Sequence, residues 1–377
     1  MGGIPARSMV RQRRKFKPRA RTSRSLNLDS IGSIEGQRIQ PPTKDGIYWN
    51  ISPPLSTRLY EKSALGRRNE DGSISLTASE VLFCHWHRHL PLPDEHWLIK
   101  ELEQNPRLIY EAIIMDVGRN GGEMIVPSEH HSESDSLAWG IRWHRDRNHL
   151  KDKHQASVSI ATTHDQLDWD ELLHWCQKSK GEGIDAEMFV IDDELDVTMY
   201  KMDLIQPKGD LKSWSDLDES QQQQFLNDWT NRTPTDAGSY IRHEQLWPWE
   251  QIGIDHMSGR ILRQEEEAYL REIITHEHDV SQGSQLMHDL YSRGLLLRPG
   301  FKYGCRWRVY DGDLNESHAP WLIQPRSESA TTWEGVCLSV RLAEGVHKQW
   351  VCAIFNNGEW NYLRIQRWSP GKNSSTD

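Results

Sequence analysis

The sequence has few cysteines, and none of them has the paired spacing typical of disulfide or metal sites. Its 377 residues include five cysteines, an odd number, and no two of them form a Cys-x-x-Cys pair. A disulfide framework is therefore not expected. We interpret the five as reduced core residues of a cytoplasmic protein: Cys84, Cys176, Cys305, Cys337 and Cys352.

Long apolar runs and common cofactor motifs are also missing. No stretch approaches the roughly eighteen apolar residues that a membrane-spanning helix needs, so we expect a soluble protein. The chain lacks P-loop, GxGxxG and GxSxG motifs, and nucleotide hydrolysis, hydride transfer and esterase chemistry therefore have no support. We expect no cofactor. The hydrophobic content of 36% still suffices for cores, and the length predicts two or three domains.

Acidic residues are absent from residues 1–24, which contain nine Lys and Arg. The chain has a net charge of -10, so removing those nine positive charges leaves -19 on the remainder. An RNA site on this acidic body must be a local basic pocket. The tail itself fits a disordered extension without a partner, a misassigned start codon or non-specific attraction to RNA. Its two prolines and its lack of an apolar face argue against a transit peptide.

Two histidine-rich segments give little support for a metal site. They are CHWHRH at residues 84–89 and THEH at residues 275–278. Positions i and i+2 of a helix face different sides, and no second ligand pair follows at a finger-like spacing. We predict no metal centre.

A phenol, an imidazole and an ammonium group lie near the C-terminus, on Tyr310, His318 and Lys348. Three such groups can cleave RNA without a metal, because one accepts the ribose 2′-hydroxyl proton, one protonates the departing 5′-oxygen and one stabilises the charge on phosphorus. Histidine is the natural acid near neutral pH, and a phenol needs a cationic neighbour such as Lys348 to act as a base. The alternatives are a core-edge aromatic, a structural loop histidine and an exposed strand-end lysine.

The sequence repeats itself at an offset of 164 residues. GIRWHRDRNHLKDKH (140–154) aligns without a gap with GCRWRVYDGDLNESH (304–318). After a two-residue gap, GIDAEMFV (183–190) meets GVHKQWVC (345–352). An internal repeat predicts two copies of one structural unit.

The two copies differ in their chemistry. The alignment places Asp146 opposite Tyr310 and Ala186 opposite Lys348, and only His154 retains the residue type of its counterpart, His318. A copy without the base and the ammonium group cannot run the reaction. We therefore predict that the first repeat is catalytically degenerate and that the second is the catalyst.

Local signals predict an α+β fold made of two tandem repeats, each with a small helix and strand N-terminal part and a mixed-sheet, nuclease-like C-terminal part. Thr77 and Glu80 form a capping-box signature that opens one helix, and a helix carrying Leu286, Met287, Leu290 and Tyr291 stops at Gly294. Strands surround a helix from about Trp333 to Glu344, and Asn357-Gly358 turns the last hairpin. The predicted divisions are a disordered basic tail (1–45), the first N-terminal part (46–137), the first, inactive nuclease-like part (138–207), a linker with the second N-terminal part (208–298), the catalytic nuclease part (299–369) and a disordered tail (370–377).

The segment around the three candidate groups resembles the catalytic domain of the archaeal-type tRNA-intron splicing endonucleases. The resemblance lies in the Tyr-Gly-Cys strand entry, Val-Tyr-Asp-Gly-Asp, the histidine eight residues after Tyr310 and the Arg-Leu-Ala helix end before Lys348. It implies a metal-independent tRNA-intron lyase that cuts precursor tRNA at both intron boundaries in a bulge-helix-bulge motif, leaving 2′,3′-cyclic phosphate and 5′-hydroxyl ends. It also implies that Tyr310 is the general base, His318 the general acid and Lys348 the transition-state stabiliser.

The resemblance further implies surfaces for RNA and for a second subunit. Arginines that clamp a bulged base fall on Arg341 and on Arg367 or Arg364, with salt-bridged surface arginines as the alternative. An acidic loop that assembles the enzyme falls on Asp192, Asp193 and Glu194, which otherwise form a solvated turn. One active site per chain and two cuts imply a homodimer, with precursor tRNA as partner and no membrane. The alternative functions are a non-catalytic RNA-binding scaffold and a subunit of a heteromeric splicing complex.

Overall fold

The N-terminal part is a small antiparallel sheet with four helices. The computed structural model describes residues 24–26, 32–34, 36–131, 137–242, 246–276, 279–314 and 318–369. The first elements are β1 (Ser33–Ile34), β2 (Gln37–Arg38), β3 (Thr43–Asp45), β4 (Tyr48–Ile51), α1 (Leu55–Ser63), β5 (Arg67–Arg68), β6 (Ile74–Leu76), α2 (Ala78–Arg88), α3 (Trp97–Gln104) and α4 (Leu108–Gly118). Strands β1 and β2 pair with each other, and the four-stranded sheet has the order β3-β4-β6-β5.

The predicted disordered tail extends too far into the chain. Strands β1 to β3 lie before residue 46 and are held by antiparallel backbone pairing. Ile39, which lies between β2 and β3 in the sequence, is buried in the structure. Arg24 forms an ion pair of 2.8 Å with Asp116. Residues 1–23 and 370–377, also predicted as tails, lie outside the described residues.

The predicted start of α2 is confirmed. The Thr77 side chain accepts a hydrogen bond from the Glu80 amide, and the Glu80 carboxylate accepts one from the Thr77 amide, which completes a capping box. The helix buries Val81, Leu82 and Cys84 in the first core cluster.

The first half of the large sheet follows. Its elements are β7 (Met124–Pro127), β8 (Gly140–Trp143), β9 (Ala156–Thr162), α5 (Trp169–Glu182), β10 (Asp185–Ile191) and β11 (Val197–Ile205). The Asp168 side chain caps α5 by accepting from the amides of Asp170 and Glu171, and Gly183 ends the helix at a φ of 70°.

Along the chain, a second small sheet lies between the two halves of the large sheet. Its elements are α6 (Glu219–Thr230), β12 (Thr233–Thr235), β13 (Gly238–Arg242), β14 (Ile254–His256), β15 (Gly259–Arg263), α7 (Gln264–Tyr269) and α8 (Gln282–Ser292). The sheet order is β12-β13-β15-β14. Part of the predicted linker is helical, because Asp218 and Gln221 cap α6 and the helix buries Phe225 and Trp229 on one face. Helix α8 confirms the prediction around Leu286 to Tyr291.

The second half of the large sheet is formed by the C-terminal residues. Its elements are β16 (Leu296–Pro299), β17 (Trp307–Tyr310), β18 (Trp321–Pro325), α9 (Trp333–Gly345), β19 (Gln349–Asn356) and β20 (Glu359–Trp368). The positive φ values of Asn357 and Gly358, 51° and 83°, confirm the predicted tight hairpin turn. The predicted Tyr-Gly-Cys strand entry is a turn instead, since a 3-10 turn at Phe301–Tyr303 and Gly304 at a φ of 66° precede β17.

The ten strands of the large sheet have the order β16-β17-β18-β19-β20-β11-β10-β9-β8-β7. In both five-stranded halves the first two pairings are antiparallel, the third is parallel and the fourth is antiparallel. The halves join through the antiparallel β11–β20 pair. Helices α5 and α9 share a core on one face, and the two small sheets with their helices cover the other. The fold is α+β, as predicted.

No helix in the described part of the chain is both long and apolar enough to cross a bilayer.

Candidate active site

Strand register brings Tyr310 and Lys348 to the same edge of the sheet. Val309 pairs with Trp321 across β17 and β18, and Trp321 pairs with Gln349 across β18 and β19. Tyr310 and Lys348 each lie one residue beyond this row, in the same direction. Because side chains alternate between the faces of a strand, both project on the face that α9 covers, opposite to Val309.

Lys348 is held beside the residue that follows His318. Its Nζ donates a hydrogen bond of 2.6 Å to the backbone carbonyl of Ala319. Lys348 follows α9 directly, through a sharp turn in which His347 has a φ of 57°. Burial lowers the pKa of the Lys348 ammonium, and the positive charge of Arg308 lowers it further. The same contact brings the chain at His318 to this edge, where the imidazole is exposed.

Tyr310 closes the other side of the site. It is only 9% exposed and packs in a small cluster with Leu296 and Ala319, against Leu211. Ala319 therefore packs against Tyr310 and, through its carbonyl, accepts the hydrogen bond from Lys348. The three residues predicted from sequence converge on one edge of the sheet.

A segment from the linker fixes the strand end that carries Tyr310. The Asp210 amide donates 2.9 Å to the carbonyl of Asp311, and the Leu211 amide donates 3.1 Å to that of Gly294. The linker thus crosses the strand end as an ordered strap rather than a loose connection. It positions Leu211 against the ring of Tyr310.

Arg308, which the sequence-based predictions omitted, lies in the same site. It precedes Tyr310 by two residues on β17, so both share one face. Its guanidinium centre is 5.9 Å from the Tyr310 ring centroid and 5.6 Å from that of Tyr303, and its Nε donates 3.1 Å to the Pro299 carbonyl. Two-residue alternation along the strand was the signal that would have found it.

The three candidate RNA-binding arginines have different surroundings. Arg364 forms a bidentate pair with Asp203, at 2.9 and 2.6 Å, across the strands that join the two halves of the sheet. The guanidiniums of Arg341 and Arg367 are exposed. The Arg367 amide donates a hydrogen bond of 2.8 Å to the Glu344 carboxylate near the end of α9, the helix that also carries Arg341. The structure therefore groups Arg341 with Arg367 and engages Arg364 elsewhere.

The predicted acidic turn lies between β10 and β11. Asp192 organises it, because its carboxylate accepts 2.9 Å hydrogen bonds from the amides of Glu194 and Asp196. Asp193 pairs with His164 at 2.8 Å, and Asp193 and Glu194 are exposed. The turn presents three acidic side chains to solvent, those of Asp193, Glu194 and Asp196.

The strand register corrects the sequence alignment of the two halves. In each half, the backbone amide of the first residue of the fourth strand donates a hydrogen bond to the carbonyl of the residue just before the third strand. Asp185 donates to Gln155 at 2.8 Å, and Gln349 donates to Pro320 at 2.9 Å. Ile184, not Ala186, is therefore the counterpart of Lys348, and Ala186 is a buried strand residue. The two-residue gap that the sequence alignment placed before residues 183–190 and 345–352 is therefore wrong.

The same comparison changes the counterpart of Tyr310. Strand pairing sets Trp143, rather than Asp146, at its position, because the connection after β8 (144–155) is longer than the one after β17 (311–320). His154 lies one residue before Gln155 and so matches Ala319, next to His318. At the positions that correspond to Tyr310 and Lys348, the first half has Trp143 and Ile184, and so neither a phenol nor an ammonium group.

A cavity of about 530 Å³ lies at this corresponding edge of the first half, lined by Trp143, His154 and Ile184 among others. Its polar groups are largely engaged within the protein. The Trp143 indole donates 2.9 Å to the Asp152 carbonyl, and Lys153 donates 2.7 Å to the Glu182 carbonyl. The cavity is lined by the imidazoles of His131 and His154 and by the ammonium groups of Lys153 and Lys178, but by no phenol.

Within the described residues, no group of His, Cys, Asp and Glu side chains is arranged to hold a metal ion. In the first histidine-rich segment, His85 bonds the Leu90 carbonyl at 2.8 Å and His87 pairs with Asp116 at 2.6 Å. His278 of the second lies outside the described residues. The five cysteines are free thiols, and burial raises the pKa of Cys84 to about 12, far from a reactive thiolate.

Residues 284–362 match a family model described as the catalytic C-terminal domain of tRNA intron endonuclease. This segment is a tRNA intron endonuclease domain. It contains Tyr310, His318, Lys348 and Arg308 together with the strands and helix that position them.

The chain is also similar to several tRNA-splicing endonucleases. A tRNA-splicing endonuclease of Thermoplasma volcanium is 28% identical over 180 residues, 48% of this chain and 54% of that protein. One of Picrophilus torridus is 26% identical over 184 residues, 48% of this chain and 56% of that protein. One of Methanopyrus kandleri is 33% identical over 89 residues, 23% of this chain and 49% of that protein. The chain spans about half the length of the curated relatives it matches.

Proposed function

We propose that the protein is a tRNA-splicing endonuclease that cleaves precursor tRNA at both intron–exon boundaries in a bulge-helix-bulge motif. The observation that carries the proposal is the convergence of Tyr310, Lys348 and the chain at His318 on one sheet edge, inside a tRNA intron endonuclease domain. The reaction is metal-independent and acts on cytoplasmic RNA.

In this mechanism Tyr310 accepts the proton of the ribose 2′-hydroxyl, whose oxygen attacks the adjacent phosphorus. The bond from phosphorus to the 5′-oxygen breaks as His318 gives that oxygen a proton. Lys348 stabilises the negative charge on the non-bridging oxygens during the exchange. The products are a 2′,3′-cyclic phosphate and a 5′-hydroxyl.

The two halves of the large sheet are proposed as repeats of one ancestral unit, the first catalytically degenerate. Their common strand order and pairing directions support this, as does a crossover helix between the third and fourth strand of each half. The first half has Trp143 and Ile184 at the positions of the base and the ammonium group. It serves as the structural partner across the β11–β20 seam.

The active assembly is proposed to be a homodimer, which provides two catalytic sites for two cuts. The exposed acidic turn at Asp193 and Glu194 offers a charged docking element. Arg341 and Arg367, both exposed and both near the end of α9, are proposed to clamp an unpaired base, since guanidinium planes stack well on bases that a bulge exposes. Arg364 instead holds the two halves together through Asp203.

An intron-bearing tRNA precursor incubated with the protein in EDTA tests the proposal. Wild type should release the intron and two exon halves, and Lys348→Ala and His318→Ala should cut more than tenfold slower while still binding RNA. Lys302→Ala, an exposed lysine of the same domain, is the matched control and should cut normally, as should His154→Ala.

Each outcome discriminates between functions. Binding without cleavage by the wild type would favour a non-catalytic scaffold. Cleavage that requires an added partner protein would favour a heteromeric complex. Cleavage that is lost in EDTA and restored by a divalent cation would overturn the metal-independent mechanism.

A further inference from the structure

Arg308 is a cation that the fold directs toward the proposed catalytic edge of the sheet, beside Tyr310. Other arginines of this region are neutralised: Arg306 contacts Glu265 at 3.0 Å, and Arg364 contacts Asp203 at 2.6 Å. Among the described residues, no carboxylate lies within salt-bridge distance of Arg308. Among the described residues its one hydrogen-bond partner is the Pro299 carbonyl, which accepts from Nε, and no described residue engages the two terminal nitrogens.

Two aromatic rings hold the guanidinium in place. Its central carbon lies 5.6 Å from the Tyr303 centroid and 5.9 Å from the Tyr310 centroid, within the range of cation–π attraction. The bond to the Pro299 carbonyl fixes a third side. A guanidinium positioned in this way loses little conformational freedom when it binds a ligand.

The charge of Arg308 is also felt at Lys348, where it disfavours the ammonium form. Two cations facing one site repel each other, and an anion bound between them removes that repulsion. Phosphate is a suitable anion, because guanidinium donors match its oxygens in a planar, two-pronged geometry.

We propose that Arg308 binds a non-bridging oxygen of the scissile phosphate and, with Lys348, stabilises the negative charge that develops there. The inference rests on the proposed endonuclease function and adds a fourth group to the reaction. Arg308 exchanges no proton: the 2′-oxygen proton goes to Tyr310, the proton for the leaving 5′-oxygen comes from His318, and the guanidinium remains charged throughout.

The test compares Arg308→Gln with Arg306→Gln, the same charge removal two residues away on a side chain already paired with Glu265. Single-turnover cleavage at saturating precursor tRNA should be about 10- to 100-fold slower for Arg308→Gln, the range expected when a hydrogen bond to a charged group is lost. Arg308→Lys should fall between, since it keeps the charge but not the planar fork. Arg306→Gln should stay within about twofold of wild type.

A sulfur atom in place of one non-bridging oxygen at the cleaved phosphate distinguishes contact from a structural role. If Arg308 contacts that oxygen, the sulfur should slow wild type more than it slows Arg308→Gln, because the variant has already lost the contact. A merely structural residue would leave the sulfur effect unchanged in the variant. This comparison holds even if Arg308→Gln is less stable, provided that Arg308→Lys folds and is measured in parallel.

An Arg308→Gln rate within about twofold of wild type, or equal rate losses in Arg306→Gln, would overturn the inference. So would a sulfur effect of the same size in wild type and both Arg308 variants. If the wild-type protein does not cleave the precursor, the proposed function itself fails. A cleaving wild type with an unaffected Arg308→Gln variant removes only the role of Arg308.

Discussion

Gly209→Ala should loosen the linker strap and, with it, Tyr310, the proposed catalytic base. A Cβ on Gly209 would lie 2.7 Å from the Asp311 carbonyl oxygen and nearer still to the carbonyl oxygen of Gly294. Both obstacles are backbone, so the strap itself must move. Three backbone hydrogen bonds at 2.9, 2.9 and 3.1 Å depend on its position, from the amides of Gly209, Asp210 and Leu211.

The expected size follows from these bonds. Each contributes about 0.5–1.5 kcal/mol net, so their loss costs roughly 2–4 kcal/mol. Restricting the unfolded chain returns about 0.4–1 kcal/mol. We expect a net decrease of about 1–3 kcal/mol in the free energy of unfolding, measured by urea denaturation. Because Leu211 packs on Tyr310, cleavage of precursor tRNA at saturation should slow as well.

Gly283→Ala is the control, because a Cβ there meets no atom and the residue lies in α8. It should stabilise the protein by about 0.5–1 kcal/mol and leave cleavage unchanged. Equal stability and equal cleavage for Gly209→Ala and wild type would refute the stabilising role of the strap. A stability loss with normal cleavage would separate the strap from the positioning of Tyr310.

Three further predictions concern other parts of the chain. Burial alone would lower the pKa of His130, but the Glu80 carboxylate at 2.6 Å raises that pKa above 6.5. The ion pair therefore stabilises the folded protein fully below pH 6.5, and this stabilisation is lost as the pH rises through the raised pKa. The urea midpoint should fall over that pH range in wild type and not in His130→Gln. Replacing both Asp193 and Glu194 by Lys should split the proposed dimer into monomers through like-charge repulsion, which light scattering would detect. An intact, active dimer would make the turn ordinary surface. Asp192 is left unchanged because its carboxylate holds the turn together. Removing residues 1–23 should weaken RNA binding and flatten its salt dependence without changing the saturating cleavage rate, and equal affinity and salt slope would show that the tail is inert.

Local sequence patterns determined much of the fold. The Thr77 capping box, the apolar spacing of α8 and the Asn357-Gly358 turn depend on neighbouring residues only, so each was readable from the chain. The catalytic candidates were also found locally, because Tyr310 and His318 are close in sequence and Lys348 follows the adjacent helix. The spacing of the cysteines favoured reduced thiols, and the spacing of the histidines left little support for a metal site.

Only the tertiary structure decided which residues face each other. The alignment paired Lys348 with Ala186, but register across distant strands gives Ile184, since register depends on loop lengths and on which face is buried. Arg364 could not be told from Arg367 by sequence, because its partner Asp203 lies 161 positions away. Arg308 gained significance from its distances to Tyr303 and Tyr310, and those distances exist only after the strand and its preceding turn have folded together.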